Sequence, residues 1–208
     1  MEQGRGGYCF EQNILLLCAL LSIGFDAVPL LCRVRYLKPA HQLTAFTHLA
    51  LRVTLPDGGR YLADVGFAGT NSVAPVRLGT DELQELPEGQ FRVRCFGGYN
   101  MLQRQLPGDE LRDLYMFRGE DVATMPDLEQ SNWFSCTFPE SRFCSSFFVS
   151  RLIGDKKHHI LNDQYVVRSC DGATDTTQVS DSAHLSQLLN DVFGLHIPAE
   201  TQGVDRYL

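Results

Sequence analysis

Three residues of this 208-residue chain have the types and order that thiol-based nucleophilic catalysis needs: Cys9, His48 and Asp64. A thiol attacks as its thiolate, and a helix N-terminus favours that form through unpaired N–H groups and the helix macrodipole. Cys9 stands where a long apolar helix should begin, and Gly6 and Gly7 before it permit a sharp approach and leave backbone space beside the sulfur. The competing reading is a buried cysteine that merely opens a helix. His48 lies on the strand face opposite Leu49, Leu51, Val53 and Leu55; it is either the base for Cys9 or an ordinary exposed or hydrogen-bonded strand histidine. Asp64 sits among Tyr61, Leu62, Ala63, Val65 and Phe67. A carboxylate in such company is costly to bury without a partner. The preceding strand offers two, His48 or Arg52. With His48 the roles follow: Cys9 attacks, His48 takes its proton, and Asp64 fixes the tautomer and stabilises the imidazolium. The backbone N–H of Cys9 would supply half of an oxyanion hole.

Strand register decides whether His48 and Asp64 can meet. Pro56-Asp57-Gly58-Gly59 is a strong turn signal between two strands. A two-residue turn at Asp57-Gly58 pairs Pro56 with Gly59 and puts His48 and Asp64 on opposite faces. A three-residue turn with Gly58 left-handed pairs Leu55 with Gly59. Asp64 then faces Ala50, and His48 becomes its diagonal neighbour on the same face, roughly 7 Å away at Cα. The chemistry requires the longer turn.

The elements that must position these groups follow from periodicity. Phe10 to Gly24 reads as a helix, apolar nearly all round through Ile14, Leu15, Leu16, Leu17, Leu20 and Leu21, and so buried on most sides, with Gly24 as its stop. Leu30–Tyr36, Thr47–Leu55, Arg60–Phe67, Phe91–Phe96 and Leu114–Phe117 read as strands, with Leu49, Leu51 and Val53 facing the core. Short strands with turn-rich joints predict a small antiparallel barrel. Asp127–Ser146 reads as a turn-rich connecting segment and Tyr165–Ser169 as a strand. Ser182–Gly194 reads as a terminal helix capped by Asp181 or Ser182.

Composition removes several function classes. The formal charge is −7 and no Lys/Arg cluster stands out, which argues against a phosphate-backbone binder. The longest apolar run, Ile14–Leu21, is too short to span a membrane, and polar residues before it argue against a signal peptide. Cys9, Cys18, Cys32, Cys95, Cys136, Cys144 and Cys170 form no CxxC pair, so a reduced cytoplasmic protein is expected rather than a disulfide framework or zinc site. His41, His158, His159, His184 and His196 have no metal-ligand spacing, and no metal is expected. Lys156-Lys157-His158-His159 reads as a solvated turn, Trp133 as core, and Gly66-Phe67-Ala68-Gly69 as no dinucleotide fingerprint.

Arg5-Gly6-Gly7-Tyr8-Cys9-Phe10-Glu11-Gln12-Asn13, then Thr47-His48, then Asp64-Val65-Gly66-Phe67 resemble an arylamine N-acetyltransferase, with Cys, His and Asp separated by 39 and 16 residues. Asn132, Thr137, Pro139, Ser141 and Phe143, and later Phe193-Gly194, extend the resemblance over the whole chain. It implies transfer of an acetyl group from acetyl-CoA to an arylamine, arylhydrazine or heterocyclic amine through a ping-pong acetyl-cysteine intermediate. It implies an α+β fold with a cysteine-protease-like Cys-His-Asp core: the remnant of an N-terminal helical bundle (1–26), an antiparallel β-barrel (27–128), a connecting segment (129–150) and a C-terminal α/β lid (151–208). By position, Thr47, Gly66 and Phe67 would line the coenzyme A pantetheine path and acyl pocket.

Two departures stand out. Only four residues precede Arg5, where the family ordinarily carries most of its helical bundle, so this chain is expected to be truncated and to self-associate through the apolar surface left on its first helix. Ala68 also stands where the family commonly has Gly, which strains the loop wherever a positive φ is needed there. A transglutaminase-like or cysteine-protease-like hydrolase, and a non-catalytic fragment acting by interaction, are the alternative readings.

Overall fold

The computed structural model describes residues 6–67, 69–70, 72–106, 108, 110–169, 172–196 and 207–208. Arg5, Ala68 and Cys170 lie outside them. The chain divides into two compact units at Phe134/Ser135.

The first unit opens with helix α1, Cys9–Ser22. The Glu11 carboxylate accepts the Tyr8 N–H at 3.1 Å, fixing the helix start one residue before Phe10. Its end is a Schellman turn: Phe25 N–H donates to the Leu20 carbonyl at 3.0 Å and Gly24 N–H to that of Leu21 at 3.1 Å, with Gly24 at φ +90°. Gly24 is the expected stop. The expected all-round burial is not found. Cys9, Phe10 and Asn13 are the buried residues of α1, whereas Leu15 and Leu21 are exposed.

Eight strands follow: β1 (Asp26–Val34), β2 (Phe46–Thr54), β3 (Arg60–Ala63), β4 (Val76–Arg77), β5 (Gln84–Leu86), β6 (Gly89–Phe96), β7 (Tyr99–Gln105) and β8 (Arg112–Phe117). They form one antiparallel sheet in the order β4-β3-β2-β1-β8-β7-β6-β5, curled into a nearly closed barrel. At the seam the Gln84 side chain imitates a strand. Its Oε1 accepts from the Arg77 N–H at 2.8 Å and its Nε2 donates to the Arg77 carbonyl at 3.0 Å. Inside lie Leu30, Cys32, Ala50, Leu62, Phe91 and Tyr115. Leu49, by contrast, faces out of the barrel into a cluster with Cys9 and Phe10. Strand β2 is therefore buried on both faces, and the larger core lies on the His48 side rather than only on the Leu49 side.

Several sequence expectations need correction. The strand expected to run from Arg60 to Phe67 stops at Ala63, and β7 was not legible because Tyr99–Gln105 has no apolar alternation. The segment expected to be turn-rich at Asp127–Ser146 is helical, as α2 (Met125–Thr137) and α3 (Arg142–Ser145). Trp133, expected in the core, is 68 % exposed.

In the second unit, β9 (Phe148–Ile153), β10 (Lys156–Leu161), β11 (Gln164–Ser169) and β12 (Thr174–Gln178) form an antiparallel sheet in the order β12-β11-β10-β9. The expected solvated turn at Lys156–His159 is thus most of a strand. The terminal helix α4 (Ser182–Leu188) is capped by the Asp181 carboxylate, which accepts the His184 N–H at 2.8 Å. It runs into a π-helical turn, Leu189–Phe193, and ends at Gly194, φ +67°. Leu185, Leu189 and Phe193 close over Ile160 in a separate core.

Candidate active site

The β2–β3 hairpin has the register that the chemistry requires. Thr54 pairs with Arg60 and Leu51 with Ala63. Leu55 N–H donates to the Gly59 carbonyl at 2.8 Å, and Gly58 sits at φ +83°. The turn is therefore Pro56-Asp57-Gly58, three residues long. It brings His48 and Asp64, which lies just beyond β3, to one face, with His48 Nε2 2.7 Å from Asp64 Oδ2. Arg52 is spoken for elsewhere: it binds the Glu120 carboxylate at 3.1 Å and the Gly119 carbonyl.

Asp64 is held by more than His48. Its Oδ1 accepts from Gly66 N–H at 2.8 Å, Phe67 N–H at 3.2 Å and Asn13 Nδ2 at 3.0 Å. The amide of Asn13 is fully buried on α1, one turn after Cys9, and its Oδ1 accepts from Val65 N–H at 3.1 Å. Asn13 thus ties the helix that begins at Cys9 to the Asp64 loop. Its role was not read from the sequence, although a polar residue four positions after Cys9, on the helix face that Cys9 shares, was the available signal. Gly66 completes the joint. A Cβ there would overlap Cys9 Cα and lie 2.8 Å from Asn13 Nδ2, so only glycine lets this loop rest on the helix start.

Electrostatics couples the three groups. Burial alone would push the His48 pKa down; the charge and hydrogen bond of Asp64, aided by a hydrogen bond and charge from Cys9, override it and push it up to about 10. Burial would raise the Asp64 pKa, but the His48 charge and hydrogen bonds from His48, Asn13 and Gly66 hold it below the ordinary value. Nε2 of His48 is taken by Asp64, which leaves Nδ1 for the Cys9 sulfur. Cys9 is 3 % exposed, and its Sγ lies 3.8 Å from the Thr47 carbonyl oxygen. Aromatic packing sets the imidazole plane. The His48 ring centroid is 5.0 Å from that of Phe67 and 4.8 Å from that of Tyr115. Tyr115 is a further residue the sequence reading missed; burial, then the Asp64 charge, keeps its phenol neutral.

Of the residues assigned to the coenzyme by position, Thr47 offers its carbonyl to the thiol, Gly66 packs on Cys9, and Phe67 leans on His48. A cavity of about 400 Å³ opens nearby, between β1/β2 and α2, with Phe46 and Arg118 in its wall. Its wall residues Leu31 and Ala123 also pack around the Cys9 cluster. Among the described residues no helix is long and apolar enough to cross a membrane.

A buried Cys, His and Asp joined in this way can carry an acyl group. The family model for N-acetyltransferases matches residues 1–202. The arylamine N-acetyltransferase of Mycolicibacterium smegmatis is 31 % identical over 95 % of this chain and 71 % of its own length. The arylamine N-acetyltransferase / N-hydroxyarylamine O-acetyltransferase of Salmonella typhimurium is 34 % identical over 93 % of this chain and 68 % of its own. A solved Salmonella typhimurium structure superposes with a TM-score of 0.85, covering 96 % of this chain and 72 % of that one. The Mycobacterium marinum enzyme, solved in complex with CoA, superposes at 0.88 with 31 % identity, covering 94 % and 72 %. With the motif residues gathered at one site and the match running along nearly its whole length, the chain belongs to the arylamine N-acetyltransferases, a family of acyltransferases.

Proposed function

We propose that the chain transfers an acetyl group from acetyl-CoA to an arylamine, arylhydrazine or heterocyclic amine by a ping-pong route through acetyl-Cys9. The observation that carries this reading is the 2.7 Å His48–Asp64 contact beside the first residue of α1.

His48, its pKa pushed up to about 10, favours the imidazolium and so takes the proton of Cys9. The thiolate attacks the acetyl carbonyl carbon, and the backbone N–H of Cys9 would supply half of an oxyanion hole. The bond from the acetyl carbon to the coenzyme sulfur breaks, and the coenzyme leaves as a thiol with the proton from His48. Acetylation takes away the interaction with Cys9 that helps to raise the His48 pKa. The neutral imidazole then takes a proton from the incoming amine as its nitrogen attacks acetyl-Cys9, and Cys9 departs as thiolate. Thr47 and Gly66 touch Cys9, Phe67 packs on His48, and all three would line the path of the donor. The amine partner is a small molecule; neither a nucleic acid nor a membrane is needed.

A cysteine hydrolase would place water where the amine stands. Intact-mass measurement after brief exposure to acetyl-CoA separates the readings. One added acetyl group, mapped to Cys9, discharged by an arylamine and absent from Cys9→Ser, supports the transferase. Label at Cys18 or Cys95, or discharge that ignores the amine, overturns it.

A further inference from the structure

Strands β1 and β2 pair one to one from Asp26–Thr54 to Cys32–His48, but the next pair is Arg33–Phe46, so the ladder skips Thr47. On its other edge β1 stays in step with β8, with Cys32 opposite Phe117 and Arg33 opposite Met116, so the extra residue belongs to β2. Such a β-bulge leaves its extra residue out of the ladder and re-aims the groups beside it. Here two adjacent residues at the bulge meet Cys9. The Thr47 carbonyl oxygen accepts from the thiol, with Sγ 3.8 Å away, and His48 hydrogen-bonds the same side chain. Without the bulge Thr47 would stand opposite Arg33, with its peptide held to the plane of the sheet.

Arg33 holds the bulge in place. Its guanidinium carbon lies 3.8 Å from the centroid of the Phe46 ring, and its Nη1 donates to the Thr44 carbonyl. Thr44 Oγ1 in turn donates to the Val34 carbonyl at 2.8 Å. These contacts tie residues 44 and 46 to residues 33 and 34 beyond the bulge, while the Cys32–His48 pair fixes its near side. A slip that brought Thr47 into the ladder would turn Phe46 to the other face and pull its ring off the guanidinium.

We propose that Arg33 is a positioning residue for acyl transfer: through Phe46 and Thr44 it keeps the bulge, and the bulge keeps the Thr47 carbonyl against the Cys9 sulfur. The proposal rests on the reading that Cys9 carries the acetyl group. Contacts from Thr47 and His48 together fix where Sγ points about the Cα–Cβ bond. With the carbonyl withdrawn one contact remains, and the sulfur leaves the narrow range of angles from which it can attack. Arg33 also hydrogen-bonds the Tyr99 phenol of β7 and, with Arg118, lowers its pKa. That contact does not involve β2 and so provides a control.

Rapid-mixing measurement of Cys9 acetylation by acetyl-CoA, on the full chain, separates the maximal rate from the half-saturating donor concentration. Arg33→Ala should lower the maximal rate about tenfold and leave the half-saturating concentration within about twofold, because the sulfur is displaced and donor binding is not. Arg33→Lys keeps a cation over Phe46 and a donor for Thr44, and should restore most of the rate. Tyr99→Phe should leave it unchanged. Nuclear Overhauser contacts across β1 and β2 read the register directly: in Arg33→Ala, position 33 should come to lie opposite Thr47 instead of Phe46. If Arg33→Ala does not melt cooperatively, Thr44→Val, which cuts the tether to Val34, is expected to lower the maximal rate in the same way. A folded variant with the wild-type maximal rate overturns the proposal, as does a slower one whose ladder still skips Thr47. A higher half-saturating concentration at an unchanged rate would make Arg33 a donor contact and overturn it too. Failure of the function reading is distinct: wild-type Cys9 would then take no acetyl group, while the register measurement would still decide what Arg33 does to the bulge.

Discussion

At the scale of single residues, the buried His48–Asp64 pair makes stability depend on pH. His48 has an ordinary pKa of 6.5 and a native one raised to about 10. Its contribution to stability is therefore fully present below about 6.5 and lost as pH rises through 10. Asp64, lowered from 3.8, contributes above that value and loses its contribution as pH falls through its native pKa. The stability gap between wild type and His48→Gln, measured by urea unfolding, is expected to be widest between these limits and to shrink toward pH 10. A gap that widens with alkalinity would contradict the assignment. Asp64→Asn should reduce transfer by roughly 10⁴-fold, as loss of the orienting carboxylate does in a related triad. Asn13→Leu removes a hydrogen bond to that carboxylate and should cost about 2 kcal/mol in a denaturant series.

Among the elements, the β2–β3 hairpin shows how much of the site could be read from the chain. The requirement that His48 and Asp64 share a face led, through strand parity, to a three-residue turn, and that turn is present with Gly58 left-handed. The stops of α1 and of the terminal helix were legible because Gly24 and Gly194 mark them chemically. What stayed hidden depends on partners distant in sequence. Strand β7 and the basic strand β10 are fixed by neighbours rather than by their own periodicity. Asn13 and Tyr115 acquire meaning only when a loop or strand from elsewhere arrives beside them. The turn can be tested directly. Gly58→Val puts a β-branched side chain at φ +83° and should cost about 1–2 kcal/mol, seen as a lower denaturation midpoint. Gly66→Ala should slow Cys9 acetylation with a smaller effect on melting, because the added methyl displaces the nucleophile rather than the core.

For the whole molecule, one exposed apolar stretch has consequences: Leu15 and Leu21 of α1, with Ile23 and Phe25 just beyond its end, lie exposed. Each large apolar side chain left in water forgoes roughly 1.5–3 kcal/mol. The chain is expected to bind a hydrophobic dye in its native state and to associate as concentration rises. Leu15→Gln with Leu21→Gln should reduce both, by fluorescence and sedimentation. A monomer that melts cooperatively and ignores the dye would show that the surface is tolerated.

The barrel seam carries a separate consequence. Its closure across β4 and β5 includes the Gln84 amide, which takes both main-chain groups of Arg77. A backbone ladder can be broken only by unfolding a strand, but a side-chain latch can swing away while every strand stays folded. Once it opens, the edge at Arg77 presents a free donor and acceptor, and free strand edges template pairing with other chains. Gln84→Leu would hold the latch open permanently. Such a chain should keep its far-ultraviolet spectrum, exchange the Arg77 amide hydrogen faster, and convert on standing into thioflavin-binding fibres.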